Sequence, residues 1–124
     1  MKNQKKILII EDEKALVEAL EFAFSDLNVK IKTYFMGDGA YEEILKVKPD
    51  LILLDLVLPG ISGFKILEKI KKNKGMKDLP VIVLTNLGED DDKKKAIELG
   101  ASDYLVKALI DLEKISQKIK EILK

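Results

Sequence analysis

Five polar side chains of this sequence directly follow short apolar runs, and their types suit metal-assisted chemistry on a phosphoryl group. They are Glu11, Asp12, Asp55, Thr85 and Lys107. A carboxylate at the end of a buried strand is unfavourable unless water, a partner or a metal ion satisfies it. A carboxylate can also attack phosphorus and form an aspartyl phosphate. We therefore take Asp55, which ends the apolar run at residues 51–54, as the candidate nucleophile.

The composition of the chain narrows the kind of metal site that these residues could form. The 124 residues include no Cys and no His, and every basic residue is Lys. A thiol nucleophile, a histidine general base and a Cys/His zinc site are therefore excluded. Any metal site must use oxygen ligands, which suit Mg²⁺, Ca²⁺ or Mn²⁺. The 22 basic and 22 acidic residues cancel, so the net charge favours neither nucleic acid nor an anionic membrane as a partner.

The three acidic residues of this group would repel one another unless a cation lies between them. Mg²⁺ is the natural candidate because it binds through one or two carboxylates, keeps several waters and accepts phosphate oxygens. Lys107 would add a positive charge and Thr85 a hydroxyl beside Asp55. Phosphoryl transfer depends mostly on positioning and charge neutralisation, which this set can supply. Each residue alone has an ordinary explanation, such as a helix cap or a surface lysine, but their joint placement favours a site.

Alternating strands and helices are predicted to bring these residues together. Apolar runs predict strands at residues 6–10, 29–35, 51–54, 80–86 and 101–106. Helical spacing predicts helices at residues 14–25, 38–46, 64–74, 89–99 and 108–124. Five βα units predict a single α/β domain over residues 1–124, with a flavodoxin-like doubly wound parallel sheet of order 2-1-3-4-5 and helices on both faces. Such a sheet binds ligands beyond the strand C-termini, at the switch point between strands 1 and 3.

The predicted second strand shows a pattern that is typical of a sheet edge. Its apolar face is expected to carry Val29, Ile31, Thr33 and Phe35, and its other face Lys30 and Lys32. A strand that carries lysines on one face is better placed at an edge than at the centre of a sheet. We therefore expect residues 29–35 to form an edge strand.

Helix boundaries and faces can also be predicted from turn residues and spacing. Asp38 is expected to cap the second helix, with Tyr41, Ile44 and Leu45 facing the core. The closing helix is expected to place Leu109 on its apolar face. Gly100 is expected to follow the fourth helix in the position where glycine commonly ends a helix.

Four segments of the sequence together resemble the receiver domain of two-component response regulators. They are ILIIED at residues 7–12, PDLILLDLVLPGISG at 49–63, PVIVLT at 80–85 and GASDYLVK at 100–107. The resemblance extends over essentially the whole chain, whose size is similar to that of the single-domain chemotaxis regulators. The segments occur in the order typical of the family, which makes the signal specific.

The resemblance implies a role for each residue of the candidate site. Asp55 would accept a phosphoryl group from a phosphohistidine on a histidine kinase or a histidine phosphotransfer protein. Thr85 and Lys107 would then contact the phosphoryl oxygens. The implied ligands of Mg²⁺ are Glu11, Asp12, Asp55 and the backbone carbonyl of Val57. The chain would therefore catalyse only its own phosphorylation and dephosphorylation.

The resemblance also implies a switch and two surfaces for partner proteins. Thr85 would move toward the phosphoryl group and Tyr104 would turn inward, which shifts the population between two states. This change would remodel the face formed by the fourth helix, the fifth strand and the fifth helix, where a downstream protein target is expected. The phosphodonor is expected at the first helix, near Ala15 and Leu16.

Two positions depart from the family pattern. Lys107 is commonly followed by a Pro with a cis peptide bond, whereas Ala108 stands here, and a cis bond without Pro costs about 3 kcal/mol. Either this bond is trans and the loop differs, or the site stores strain. Asn86, directly after Thr85, is larger than the small residue usual there, and is expected to alter access to the phosphoryl group and its lifetime.

The remaining expectations concern the setting of the protein. Only four apolar residues follow the basic start at residues 1–6, too few for a signal peptide or a membrane span, which favours the cytoplasm. We expect a monomer or a weak homodimer without an output domain, which signals through protein contacts. Direct binding of nucleic acid is not expected, because the lysines are scattered and no helix-turn-helix unit fits.

Two other hypotheses remain open. A small metal-dependent phosphatase would use Asp55 as its nucleophile and hydrolyse many phosphate monoesters. Such enzymes normally need a cap over the substrate, for which 124 residues leave little room. A degenerate receiver would act as a constitutive interaction module without phosphorylation. Turnover of monoesters would support the first alternative, and an Mg²⁺ titration that leaves Asp55 and Glu11 unperturbed would support the second.

Overall fold

The computed structural model describes residues 4–124, which form a five-stranded parallel sheet and five helices. The strands are β1 (Lys5–Ile10), β2 (Val29–Tyr34), β3 (Leu51–Leu54), β4 (Val81–Thr85) and β5 (Asp103–Val106). The helices are α1 (Lys14–Ala23), α2 (Ala40–Val47), α3 (Gly63–Lys72), α4 (Asp90–Glu98) and α5 (Leu112–Ile122). The strand order β2-β1-β3-β4-β5 confirms the predicted flavodoxin-like doubly wound fold.

The inner strands β1, β3 and β4 are buried on both faces, as is usual in parallel sheets flanked by crossover helices. One layer packs the sheet against α2, α3 and α4, with Leu8, Ile44 and Leu67 among its buried residues. The other layer packs it against α1 and α5, with Val17 and Ile115 among its buried residues. These two layers explain why β1, β3 and β4 appear in the sequence as continuous apolar runs.

β2 lies at an edge of the sheet, which confirms the prediction made from its lysines. Lys30 and Lys32 are exposed, and charged side chains on an edge strand discourage pairing with another chain. The predicted face is wrong at Phe35, because the strand ends at Tyr34 and the Phe35 side chain is about half exposed. Strand alternation no longer directs a side chain that lies beyond the end of the strand.

Local signals set the end of α4 and the start of α3. Gly100 follows α4 at a φ of 107°, a left-handed conformation that glycine adopts without steric cost. The N–H groups of Gly100 and Ala101 donate to the carbonyls of Ile97 and Ala96, both at 3.0 Å, which satisfies the last turn of α4. Ser62 caps α3 by accepting a hydrogen bond from the N–H of Phe64 at 3.1 Å. The prediction for Gly100 is confirmed.

The predictions for the start and one face of α2 are wrong. Gly39, and not Asp38, occupies the N-cap position, and no side chain caps this helix. The side chain of Asp38 instead lies against Gly60. The backbone carbonyl of Asp38 accepts a hydrogen bond from the Tyr34 hydroxyl at 2.9 Å. Leu45 is 44% exposed, because successive residues of a helix are rotated by about 100° and the buried Ile44 sets the inward direction.

The closing helix begins later than predicted. A 3₁₀ turn spans Lys107–Leu109, and α5 starts only after Asp111, whose carboxylate caps it through the N–H groups of Glu113 and Lys114. Leu109 therefore lies outside the helix and is 81% exposed, so its predicted inward position is wrong. The described residues contain no cis peptide bond, so the bond between Lys107 and Ala108 is trans and the loop turns without one.

Candidate functional site

Strand register brings the predicted site residues to one edge of the sheet. Ile10 pairs with Leu54, Leu54 with Val83, and Thr85 with Val106, so the residues that follow these strands emerge side by side. The N–H of Asp55 continues the ladder by donating to the carbonyl of Ile10 at 3.0 Å. The candidate nucleophile is therefore held by the sheet itself.

Three carboxylates converge at this edge. Glu11, Asp12 and Asp55 each offer an oxygen, and these oxygens all lie within 4.8 Å of one another. Glu11 and Asp55 are only 2% and 4% exposed, whereas Asp12 is exposed. Like charges at this separation raise each other's proton affinity unless a cation compensates them. The site is therefore open to solvent at Asp12, and its two other carboxylates, Glu11 and Asp55, are buried.

Lys107 supplies the positive charge that faces the two buried carboxylates. Its Nζ lies 2.8 Å from Oδ2 of Asp55 and 2.6 Å from Oε1 of Glu11. Oε2 of Glu13 lies 3.5 Å from the same Nζ. The Lys107 side chain, which follows the edge strand β5, is itself almost buried. One ammonium group is therefore shared by three carboxylates.

The pKa values of Glu11 and Lys107 follow from this arrangement. Burial raises the pKa of Glu11 above its ordinary value of 4.5, although the close ammonium group of Lys107 and the hydrogen bond from the N–H of Glu13 oppose that rise. Burial alone would lower the pKa of Lys107, but its hydrogen bond to Asp55 and its ion pair with Glu11 raise the pKa above the ordinary value. Lys107 thus stays protonated at neutral pH.

The residues at this edge fit a hard divalent cation. Every donor in the cluster is a carboxylate oxygen, the ligand type that Mg²⁺ and Mn²⁺ prefer. Oε1 of Glu11 is buried and receives no well-directed hydrogen bond from the described residues, despite its short distance to Lys107. A bound cation would satisfy this oxygen, which hydrogen bonding leaves without a partner. The N–H of Val57 donates to Oδ1 of Asp55 at 3.1 Å, which holds the start of the loop beside the cluster.

Thr85 and Tyr104 both bond to Leu87, in the loop between β4 and α4. Thr85 is fully buried at the end of β4, and its hydroxyl accepts a 3.4 Å hydrogen bond from the N–H of Leu87. The hydroxyl of Tyr104 donates to the carbonyl of Leu87. Burial, and after it the charge of Asp92, raises the pKa of Tyr104. Tyr104 already lies inward in the unmodified chain, at 7% exposure.

Three residues that sequence reasoning missed also shape the site. Glu13 joins the group around Lys107, and its N–H donates to Oε2 of Glu11 at 2.8 Å. A Cβ at Gly63 would lie 2.2 Å from the carbonyl oxygen of Asp55, so only glycine allows this close approach. Gly37 meets the same loop from the β2–α2 side. The turn residues at 37–39 and 59–63 were the sequence signal that could have indicated the two glycines.

Comparison with known proteins places this chain in a family. The sequence model described as the response regulator receiver domain matches residues 7–120. The phosphate regulon transcriptional regulatory protein PhoB of Pseudomonas aeruginosa is 35% identical over 120 residues, covering 97% of this chain and 52% of that protein. The chain thus spans about half the length of the curated relatives that it matches.

Solved structures agree with this comparison. The Mn²⁺-bound form of the response regulator Rcp1 is 32% identical, with a TM-score of 0.83 over 94% of this chain and 92% of that one. A response regulator from Chloroflexus aurantiacus J-10-fl is 29% identical, with a TM-score of 0.88 over 98% of each chain. No helix among residues 4–124 has the length and apolar character needed to cross a membrane.

Proposed function

The chain belongs to the response regulator receiver family, and from this premise we propose that it accepts a phosphoryl group on Asp55 in two-component signal transduction. The observation that carries the proposal is the placement of a nearly buried Asp55 between a carboxylate cluster and the ammonium group of Lys107. A carboxylate held in this way suits nucleophilic attack on phosphorus. We further propose that residues 1–124 act as one phosphoacceptor domain, and that it works in the cytoplasm.

In the proposed transfer, a carboxylate oxygen of Asp55 forms a bond to phosphorus while the bond from phosphorus to the donor imidazole nitrogen breaks. The donor is a phosphohistidine on a kinase or a phosphotransfer protein, and its imidazole leaves with the electron pair of the broken bond and becomes the neutral ring by taking up one proton from solvent. A divalent ion would neutralise charge on the phosphoryl oxygens during this step. The proposed ligands are Glu11, Asp12, Asp55 and the carbonyl of Val57. Mg²⁺ is the proposed ion, supported by the all-oxygen donors and by the Mn²⁺-bound form of Rcp1.

Lys107 is proposed to hold Asp55 before transfer and the phosphoryl oxygens afterwards. Its Nζ lies 2.8 Å from Oδ2 of Asp55 in the unmodified chain. Once Asp55 becomes an acyl phosphate, the negative charge moves outward to the phosphoryl oxygens, and the ammonium group follows it. Thr85 is proposed to supply a hydroxyl to the same oxygens, as the residue that ends the neighbouring strand β4.

The proposed output is a change in the face formed by α4, β5 and α5. Thr85 and Tyr104 both bond to Leu87 in the unmodified chain, one at its N–H and the other at its carbonyl. Movement of the Thr85 hydroxyl toward a phosphoryl group would release the first of these bonds and alter the position of Leu87 and Tyr104. A downstream protein would recognise this altered face, and the phosphodonor would bind near Ala15 and Leu16 on α1.

The proposal is tested by labelling with acetyl phosphate in the presence of Mg²⁺, followed by mass spectrometry of the intact protein. We expect addition of one phosphoryl group to the wild-type chain and none to Asp55→Asn. Asp91→Asn is the matched control, because Asp91 is exposed on α4 and lies outside the carboxylate cluster. Folded wild-type protein that takes up no label would contradict the proposal and favour a constitutive interaction module. Sustained hydrolysis of a phosphate monoester would favour the phosphatase alternative.

A further inference from the structure

A recess beside the edge strand of the sheet collects basic side chains. It lies between β2 and the last turns of α2 and has a volume of about 280 Å³. The whole chain carries as many acidic as basic residues, so its composition does not account for a local excess of lysine. We call this surface the β2–α2 recess. Its lining consists of Lys6, Lys30, Lys32, Lys46, Glu43 and Val47.

Strand register brings the lysines of the recess together. Lys6 of β1 pairs with Lys30 of β2, so their side chains lie on the same face of the sheet. Lys32 is two residues further along β2 and shares that face, because side chains alternate along a strand. Its partner Leu8 belongs to the core layer that α2 covers, so this is the face beneath α2. Lys46, in the last turn of α2, reaches the same recess from the helix.

The positive charge of the recess is not compensated by its own surroundings. Among residues 4–124, none of its four lysines has a carboxylate within 4.0 Å, and this includes the carboxylate of Glu43. The Nζ of Lys6 donates instead to the carbonyl of Val47 at 3.2 Å. Val47 ends α2, where the helix dipole is negative, so this bond satisfies a carbonyl that would otherwise repel an anion. The recess therefore favours a negatively charged ligand.

The size and lining of the recess narrow the class of ligand. Val47 is the one apolar residue of the lining, so charge and not apolar contact must hold a ligand there. The volume lies just below the range of about 300–1,000 Å³ that is usual for pockets of drug-sized molecules. A ligand that fits must therefore be small and carry several negative charges. Short chains of linked phosphates combine these two properties, and lysine binds phosphate as a point charge without the geometric demands of arginine.

We propose that the β2–α2 recess binds an oligophosphate, a short chain of linked phosphates that is either free or the tail of a nucleotide. The ammonium groups of Lys30, Lys32 and Lys46 contact the phosphate oxygens, and Glu43 weakens binding by repulsion. Binding is expected without a divalent ion, because the lysines supply the positive charge. The inference goes beyond the proposed phosphoacceptor function, since no bond is made or broken and none of the predicted site residues lines the recess.

The first test titrates the full chain with sodium tripolyphosphate in metal-free buffer of low ionic strength and measures the dissociation constant by calorimetry. We expect a value below about 1 mM that rises as salt is added. The double variant Lys30→Gln/Lys46→Gln should weaken binding about tenfold or more, because it removes two charged contacts. Both lysines are exposed, so this variant should keep the fold. Lys93→Gln/Lys94→Gln removes the same charge from exposed residues of α4 outside the recess and should change binding less than about twofold.

The second test removes the one negative charge of the recess. Glu43→Gln should tighten the binding of tripolyphosphate about threefold or more, because it removes a repulsion at short range. Glu42→Gln makes the same change at the preceding residue of α2, which is exposed and does not line the recess, and should have little effect.

The source of the phosphate chain is identified by comparing tripolyphosphate with adenosine triphosphate, both without metal. Tighter binding of adenosine triphosphate would assign the recess to the tail of a nucleotide, and equal or weaker binding would assign it to a free chain. Asp55→Asn should bind tripolyphosphate as the wild type does.

Three results would overturn the proposal. A dissociation constant for tripolyphosphate above about 1 mM at low ionic strength would show that the recess does not bind oligophosphates. Equal losses in the two double lysine variants would show that net charge, and not the recess, attracts the anion. Polyglutamate that binds as tightly as tripolyphosphate, with the same loss in Lys30→Gln/Lys46→Gln, would assign the recess to an acidic protein segment instead. None of these results depends on labelling of Asp55, so failure of oligophosphate binding and failure of the phosphoacceptor function can be told apart.

Discussion

At the level of single residues, the site has too little positive charge for its carboxylates. Glu11, Asp55 and Glu13 all lie within 4.0 Å of the ammonium group of Lys107, and Asp12 stands beside the first two. One cation cannot neutralise four anions, two of which are almost completely buried. The unmodified site is therefore unfavourable on its own and is prepared for an additional cation or for the loss of one carboxylate charge.

Glu11 is expected to report this shortage of positive charge through its titration. In metal-free protein its pKa should lie above 4.5 because the carboxylate is buried, and Lys107→Met should raise it further because an ion pair that lowers it is lost. A carboxyl group with a raised pKa in the folded state makes the protein more stable as the pH falls from above that pKa toward 4.5. Carboxyl-carbon NMR over this pH range measures the pKa of Glu11 in the wild type and in Lys107→Met.

Addition of Mg²⁺ should move the same resonance in the opposite direction. A cation at the cluster favours the ionised form of Glu11 and should lower its pKa. The Glu11→Gln variant identifies the resonance by its absence. A Glu11 that titrates at or below 4.5 without metal would contradict the description of the site as short of positive charge.

The site residues were predictable from the sequence to the extent that each one ends a strand. Asp55 follows an apolar run that is buried on both faces, and a parallel sheet can place such a residue only at its C-terminal edge. Glu13 was not predictable, because its contact with Lys107 depends on the path of the loop before α1 and on the reach of a side chain from β5. Strand order determines which ends meet, but it does not determine which loop side chains touch.

At the level of elements, the strands were easier to predict than the faces of the helices. A short continuous apolar run indicates a strand buried inside a parallel sheet and also marks where that strand lies. Helical spacing of apolar residues indicates a helix but does not determine the residue at which it begins. Leu109 and Leu45 show the consequence. The capping of α5 by Asp111 leaves Leu109 in the preceding turn, and the inward direction of Ile44 turns Leu45 toward solvent. An error of a few residues in a helix start therefore changes which side chains reach the core.

The loop that follows Asp55 is held by the loop between β2 and α2. The N–H of Gly37 donates to the carbonyl of Pro59 at 2.7 Å, and a Cβ at Gly37 would lie 1.8 Å from the carbonyl oxygen of Ile61. Backbone atoms cannot move aside as easily as a flexible side chain, so any side chain at position 37 must push the loops apart. The position of residues 57–63 thus depends on glycine in a different loop.

Gly37→Ala is expected to destabilise the protein by about 1–3 kcal/mol, the usual cost of forcing extra volume into a packed contact. It should also weaken Mg²⁺ binding, because it displaces the loop that contains Val57. Gly88→Ala is the matched control, since a Cβ at Gly88 meets no atom within 4 Å and should change stability by less than about 1 kcal/mol. Urea unfolding with and without Mg²⁺ measures both quantities. Equal effects of the two substitutions would show that the contact between the loops is unimportant.

At the level of the whole molecule, the site and the fold are thermodynamically linked. The carboxylates emerge from β1 and β3, the neighbouring inner strands on either side of the switch point, so unfolding must disperse the cluster. An ion that binds only the assembled cluster stabilises the entire sheet by mass action. The stability of the protein is therefore a measure of metal binding that does not require phosphorylation.

Mg²⁺ at a hundred times its dissociation constant is expected to raise the free energy of unfolding by about 2.7 kcal/mol. Asp12→Asn should remove most of this gain, because Asp12 is the exposed member of the cluster through which a hydrated ion would enter. Without Mg²⁺ the same variant should be at least as stable as the wild type, since it relieves repulsion among the carboxylates. Asp91→Asn should keep the full gain. Thermal and urea unfolding of the three proteins test this, and a wild-type chain whose stability is the same with and without Mg²⁺ would refute a metal site at Glu11, Asp12 and Asp55.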